Sequence, residues 1–115
     1  MIAEAPISVG DVVWVPFPFV EVPRMRERPA LVVGVISPVP EIQLLWVLMI
    51  TSVENKCWQG DISLEQRYRE CGLRVPCVIR TAKIATVDAA RARRSGAAPG
   101  DVLAEVRGVL ERQLF

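Results

Sequence analysis

Three arginines at alternate positions, Arg24, Arg26 and Arg28, stand just before a proline and an apolar run in the stretch RMRERPALVVGVI, residues 24–36. In an extended chain, residues two apart project to the same side, so the three guanidiniums can be presented together. A guanidinium has forked donors that match the oxygens of a phosphate. A second pair of polar side chains, Thr51 and Ser52, follows the apolar run 44–50. A threonine hydroxyl near such an arginine could position a phosphate. The chemistry these types allow is phosphoryl transfer within RNA. There the RNA's own 2′-hydroxyl is the nucleophile, and the protein has mainly to orient it and stabilise charge on phosphorus. From the residues alone, Arg28 reads equally as a surface charge screened by Glu27, and Thr51 as a strand end bonding its own backbone.

What the chain lacks narrows the choice. It has no histidine, which removes the Ser-His-Asp triad, Cys-His pairs, two-histidine ribonuclease sites and His-based zinc sites. Cys57, Cys71 and Cys77 are odd in number and have no CxxC spacing, as expected of reduced thiols in a cytoplasmic protein. No metal constellation, GxGxxG fingerprint or phosphate loop is present, so neither metal nor cofactor is expected. The net charge is only +1, yet residues 67–94 hold eight cations against Glu70 and Asp88, which predicts one basic face. Arg80 and Lys83 in that stretch are candidate RNA contacts. Trp58, in a polar loop, is a better base-stacking candidate than Trp14 or Trp46. Residues 1–9 hold no apolar core of a signal peptide, and 44–50 is far too short to span a bilayer, so no membrane is expected.

The elements that must hold these residues read as follows. Gly10-Asp11 opens a strand over 12–17, with Val13, Val15 and Phe17 on one face and Val12 and Trp14 on the other. Pro29 breaks any helix and suits the start of a second strand, 30–36, whose β-branched run fits a buried sheet. Arg28 is thereby held where loop meets sheet. A third strand, 42–51, is nearly all apolar and is expected to be covered on both faces. Gly60-Asp61 repeats the first turn signal before a short strand at 62–64. A helical turn over 65–71 ends at Gly72, and two short strands follow at 77–80 and 84–87. Asp88 can cap a short helix over 89–94, stopped by Gly96. Pro99 opens a final helix with the stripe Val102, Leu103, Val106, Val109, Leu110 and Leu114. The 115 residues form one domain, mainly β with α: a small barrel of about five to seven strands with a C-terminal helix.

Taken in order, GDVVWVPFPF, RERPALVV, LMITS, GDISL, CVIRTAKIATVD and DVLAEVRGVLERQL resemble the MazF/PemK family of toxins from toxin-antitoxin pairs. The resemblance covers nearly the whole chain. It implies an SH3-like or CcdB-like barrel and a homodimer. It also implies a metal-independent endoribonuclease that cuts single-stranded mRNA at short sequences and leaves a 2′,3′-cyclic phosphate. Its partner would be a cognate antitoxin whose disordered tail crosses the active groove. By this resemblance Arg28 takes the catalytic arginine's place, with charge stabilisation and leaving-group protonation as its roles. Thr51 takes that of the phosphate-positioning hydroxyl, with Ser52 beside it. Arg80 matches an arginine that some members use. Arg24 and Arg26 become loop contacts to RNA or antitoxin. Where some members place an acid two residues after that arginine, this chain has Ala82, and the histidine some carry in the first loop is missing, so the general base is unassigned. Two rivals remain: a CcdB-like inhibitor of DNA gyrase, and an inactive homologue that acts as a binding partner.

Overall fold

The computed structural model describes residues 6–16 and 27–114. Six strands form one antiparallel sheet: β1 (Asp11–Pro16), β2 (Glu27–Val39), β3 (Ile42–Ser52), β4 (Ile62–Ser63), β5 (Cys77–Asp88) and β6 (Arg93–Ala97). One α-helix among the described residues, α1 (Gly100–Leu114), follows. The spatial order is β4-β5-β3-β2-β1-β6, so β4 and β6 are edges and the expected barrel is not closed by hydrogen bonds among the described residues.

Alternation along β1 divides the core as the sequence implies. Val12 joins a cluster with Leu31, Leu48, Ile50 and Ile79, covered by Val102 and Val106 of α1, and Trp14 packs against it. Val13 and Val15 join a second cluster with Ala30, Val32, Leu45, Val47 and Met49. A strand points successive side chains to opposite faces, so one short segment feeds both cores.

The two Gly-Asp turns are built alike. Gly10 and Gly60 have φ of +96° and +88°, which a side chain disfavours. In each, the following aspartate accepts from a backbone amide three residues back: Ser8 N to Asp11 Oδ2 at 2.8 Å, and Trp58 N to Asp61 Oδ2 at 2.9 Å.

Four expectations change. The strands placed at 77–80 and 84–87 are one continuous β5, because residues 81–83 are absorbed as an irregularity where the register shifts between Leu48 and Met49 of β3. The helix expected over 89–94 is a 3-10 turn, Ala89–Arg91, with Asp88 Oδ1 accepting from Ala90 N; residues from Arg93 are strand β6. Gly96 therefore stops no helix. β3 is not covered throughout, since Trp46 is 45% exposed, and Leu114 leaves the helix stripe for solvent at 66%.

Candidate active site

Arg28 and Thr51 are brought together by strand pairing. Ala30 of β2 pairs with Met49 of β3, and the same register carried two residues further sets Arg28 opposite Thr51. Both line a cavity of about 260 Å³, with Ser52 and Asn55 on the same rim. Its apolar lining includes Trp14, Ile50, Leu73 and Cys77, and Cys77 lies opposite Ser52 on β5. Arg28 is half-buried and forms no hydrogen bond or ion pair with the described residues. Glu27, the acid that might have screened it, pairs with Arg93 instead (Arg93 Nη2 to Glu27 Oε2, 3.2 Å). The scaffold thus holds the stem of Arg28 while its head is left for an incoming group.

Thr51 is oriented by a residue that sequence reading passed over. Asn55 Nδ2 donates to Thr51 Oγ1 at 2.5 Å, so the threonine keeps its own O–H to donate elsewhere. Ser52 Oγ accepts from Glu54 N at 3.2 Å and so shapes the turn after β3. Cys77 supplies no nucleophile. Burial pushes its thiol up, the nearby Cys71 adds to this, and its Sγ donates to Val75 O at 3.2 Å.

Arg80, Lys83 and Trp58 form a separate group. Arg80 is 6% exposed, and it donates to both carboxylate oxygens of Asp61 (3.2 and 3.0 Å) and to Lys56 O at 2.5 Å. Its guanidinium lies 4.1 Å from the centre of the Trp58 ring, and Lys83 Nζ lies 5.8 Å from it. Arg80 was expected as an RNA contact. The structure gives its guanidinium protein partners instead, which clamp loop 53–61 to β5. Trp58 remains 40% exposed. Arg24 and Arg26 lie outside the described residues.

Half of the eight cations expected to form a basic face over 67–94 are ion-paired among the described residues. Arg67 pairs with Glu70 and Asp101, Arg80 with Asp61, Arg93 with Glu27 and Arg94 with Asp11. Acids distant in sequence fold back onto the cations. Asp101, in the first turn of α1, has its carboxyl held below the usual carboxylate range by the Arg67 guanidinium.

The fold is an open antiparallel sheet with one terminal helix among the described residues, and it sets an arginine and a threonine from neighbouring strands on one cavity. Residues 8–114 match the family model for the PemK-like, MazF-like toxin of type II toxin-antitoxin systems, and the chain belongs to that family. Among solved structures, MazF (Form-I) from Deinococcus radiodurans is similar at 30% identity and a TM-score of 0.69, covering 96% of this chain and 98% of that one. The MazE-MazF complex (Form-II) from the same organism matches at 30% identity and a TM-score of 0.67, covering 96% and 97%. A comparison with curated protein sequences returns no match.

Proposed function

We propose that this toxin is a metal-independent, sequence-specific endoribonuclease acting on single-stranded mRNA. The observation that carries the reading is the shared cavity of Arg28 and Thr51, with the Arg28 guanidinium unpaired among the described residues and the Thr51 O–H left free by Asn55. In this scheme Thr51 donates to a non-bridging oxygen of the scissile phosphate and fixes its position. The 2′-oxygen attacks phosphorus, its proton passing to a base not assigned here. Arg28 stabilises the charge gathering on the phosphoryl oxygens and donates a proton to the departing 5′-oxygen, recovering it from water after release. The product ends are a 2′,3′-cyclic phosphate and a 5′-hydroxyl. Arg80, Lys83 and Trp58 contribute by presenting the exposed indole on a clamped loop, where a base can stack.

Two partners belong to the same proposal. The MazE-MazF complexes of the Deinococcus relative support a cognate antitoxin for this chain. A homodimer is supported by Trp46, Ile84 and Leu114, exposed at 45%, 52% and 66% around one shallow apolar cavity. The test is incubation of the purified protein with a mixed RNA pool in EDTA, with end mapping by sequencing. Cuts with cyclic phosphate ends, lost in Arg28→Ala, are expected. An intact pool together with stalled gyrase-DNA complexes would replace this reading with the CcdB-like one. An intact pool alone would leave the inactive homologue.

A further inference from the structure

A second cavity, of about 450 Å³, adjoins the first and is lined by Trp14, Glu27, Gly72, Arg74, Arg93 and Ser95. Trp14, Glu27 and Arg74 line both, so the two spaces form one groove that runs from Thr51 past the indole to β6. We propose that the second cavity is a nucleotide subsite. It takes the nucleotide next to the scissile phosphate of a single-stranded RNA, with the base against Trp14 and the phosphate on Arg74. The inference rests on the endoribonuclease reading and adds to it contacts at Trp14, at Arg74 and at the Glu27–Arg93 pair.

Arg74 is exposed and has no hydrogen bond or ion pair among the described residues, whereas Arg67, Arg93 and Arg94 around it are all paired. A free guanidinium on the wall of a groove is a phosphate contact in waiting. Its place is fixed by the backbone. The turn at Gly72 crosses β6 so closely that a Cβ on Gly72 would lie 2.3 Å from Ser95 O, and one on Gly96 would lie 2.4 Å from Cys71 O. That crossing holds Arg74 beside β6 and beneath the rim of the first cavity. Trp14 is half-buried, packed on the core at one side and lining both cavities at the other. Stacking on such a ring tolerates any base. The Glu27–Arg93 pair adds an acceptor and donors side by side on the same wall, the complement that an unpaired base edge requires. The subsite thus holds any nucleotide by its phosphate and ring, and sorts bases by the ion pair.

The test uses oligoribonucleotides with one cleavage site, each with a neutral methylphosphonate at a single non-scissile position. Wild type is expected to show a KM raised about tenfold at one position next to the cut, the scale of one charged hydrogen bond. Arg74→Ala is expected to show the same rise on unmodified RNA, with kcat unchanged and no further penalty from that modification, because both remove the same contact. Arg74→Lys should recover most of the loss, and the salt dependence of binding should flatten by about 0.7 in log-log slope. Trp14→Leu should weaken binding of any base at that position while Trp14→Phe restores it. Effects of variant and modification that multiply at every position, or an Arg74→Ala enzyme with unchanged KM, would overturn the subsite alone. A wild type that cuts no RNA at all would overturn the endoribonuclease reading on which it stands.

Discussion

Asn55 lies outside every recognisable motif, yet in the proposed site it sets how Thr51 is presented. A threonine at the end of a strand ordinarily returns its hydroxyl to the backbone. Here the Asn55 amide occupies the oxygen and leaves the proton available. Removing the amide should release Thr51 to rotate without touching the phosphate directly. Asn55→Ala is therefore expected to lower kcat about tenfold with little change in KM, a loss short of that for Thr51→Ala, as steady-state kinetics on a short RNA would show. Equal kcat in the variant and wild type would mean that the hydrogen bond has no part in positioning.

Arg28 and Thr51 stand out in the sequence because each sits where an apolar run changes character, at Pro29 and at the exit of β3. Asn55, Arg74 and Trp14 do not. Their places in the proposed site come from contacts that no local pattern encodes: a loop folded back on its own strand, and a turn laid across a strand more than twenty residues further on. Arg80 is the converse case, a residue whose partners the sequence does not reveal. Its place in the sequence suggested a hand held out to RNA, but Asp61 lies in the turn that β5 passes, and the pair is buried at 8% and 3% side-chain exposure.

At the scale of elements, that buried pair fastens loop 53–61 to the sheet. A buried charge left without its partner is costly, so Asp61→Ala should destabilise the fold by about 3–5 kcal/mol in urea unfolding. A loss under about 1 kcal/mol would show the loop to be held by other contacts. The Arg67–Asp101 pair ties the start of α1 to the segment before β5 in a weaker way, because both side chains are exposed. Asp101 gives up its proton more readily folded than unfolded. Its contribution is therefore present above the ordinary carboxylate range and is lost as pH falls through the lowered folded value. Arg67→Ala should lower stability slightly in the neutral region and converge with wild type at low pH, which flattens the acid limb of a stability-against-pH curve, and salt should mimic it. Acid limbs that superimpose in variant and wild type would assign the pair no role.

The same scale explains which elements the sequence made plain. Strands β1 to β3 carry alternation or β-branched runs bounded by turn residues, and these were read to within a few residues. β6 has the sequence RRSGA, without a β-branched or aromatic residue, and it is strand because β1 pairs with it. β5 carries Thr81 to Lys83 in its middle, which breaks the apolar rhythm without breaking the strand.

For the molecule as a whole, three of the apolar side chains left exposed among the described residues meet at one place. Trp46, Ile84 and Leu114 come from β3, β5 and α1 and line one shallow cavity. Light scattering at micromolar concentration should give the mass of two chains, and Ile84→Glu should reduce it to one without loss of secondary structure. A wild-type mass of one chain under those conditions would refute the dimer. No helix among the described residues is long and apolar enough to cross a membrane.

The crossing of the Gly72 turn over β6 bears on the order in which this toxin comes into being. On the ribosome the chain emerges from its N-terminus, and Trp14, Arg28, Thr51 and Arg74 are all synthesised before the strand that completes the wall around them. Until Arg93 and Ser95 have cleared the exit tunnel, Glu27 has no counter-ion, the turn has nothing to lie on and the far end of the groove is open. The wall of the groove is therefore complete only once β6 has emerged and paired with β1.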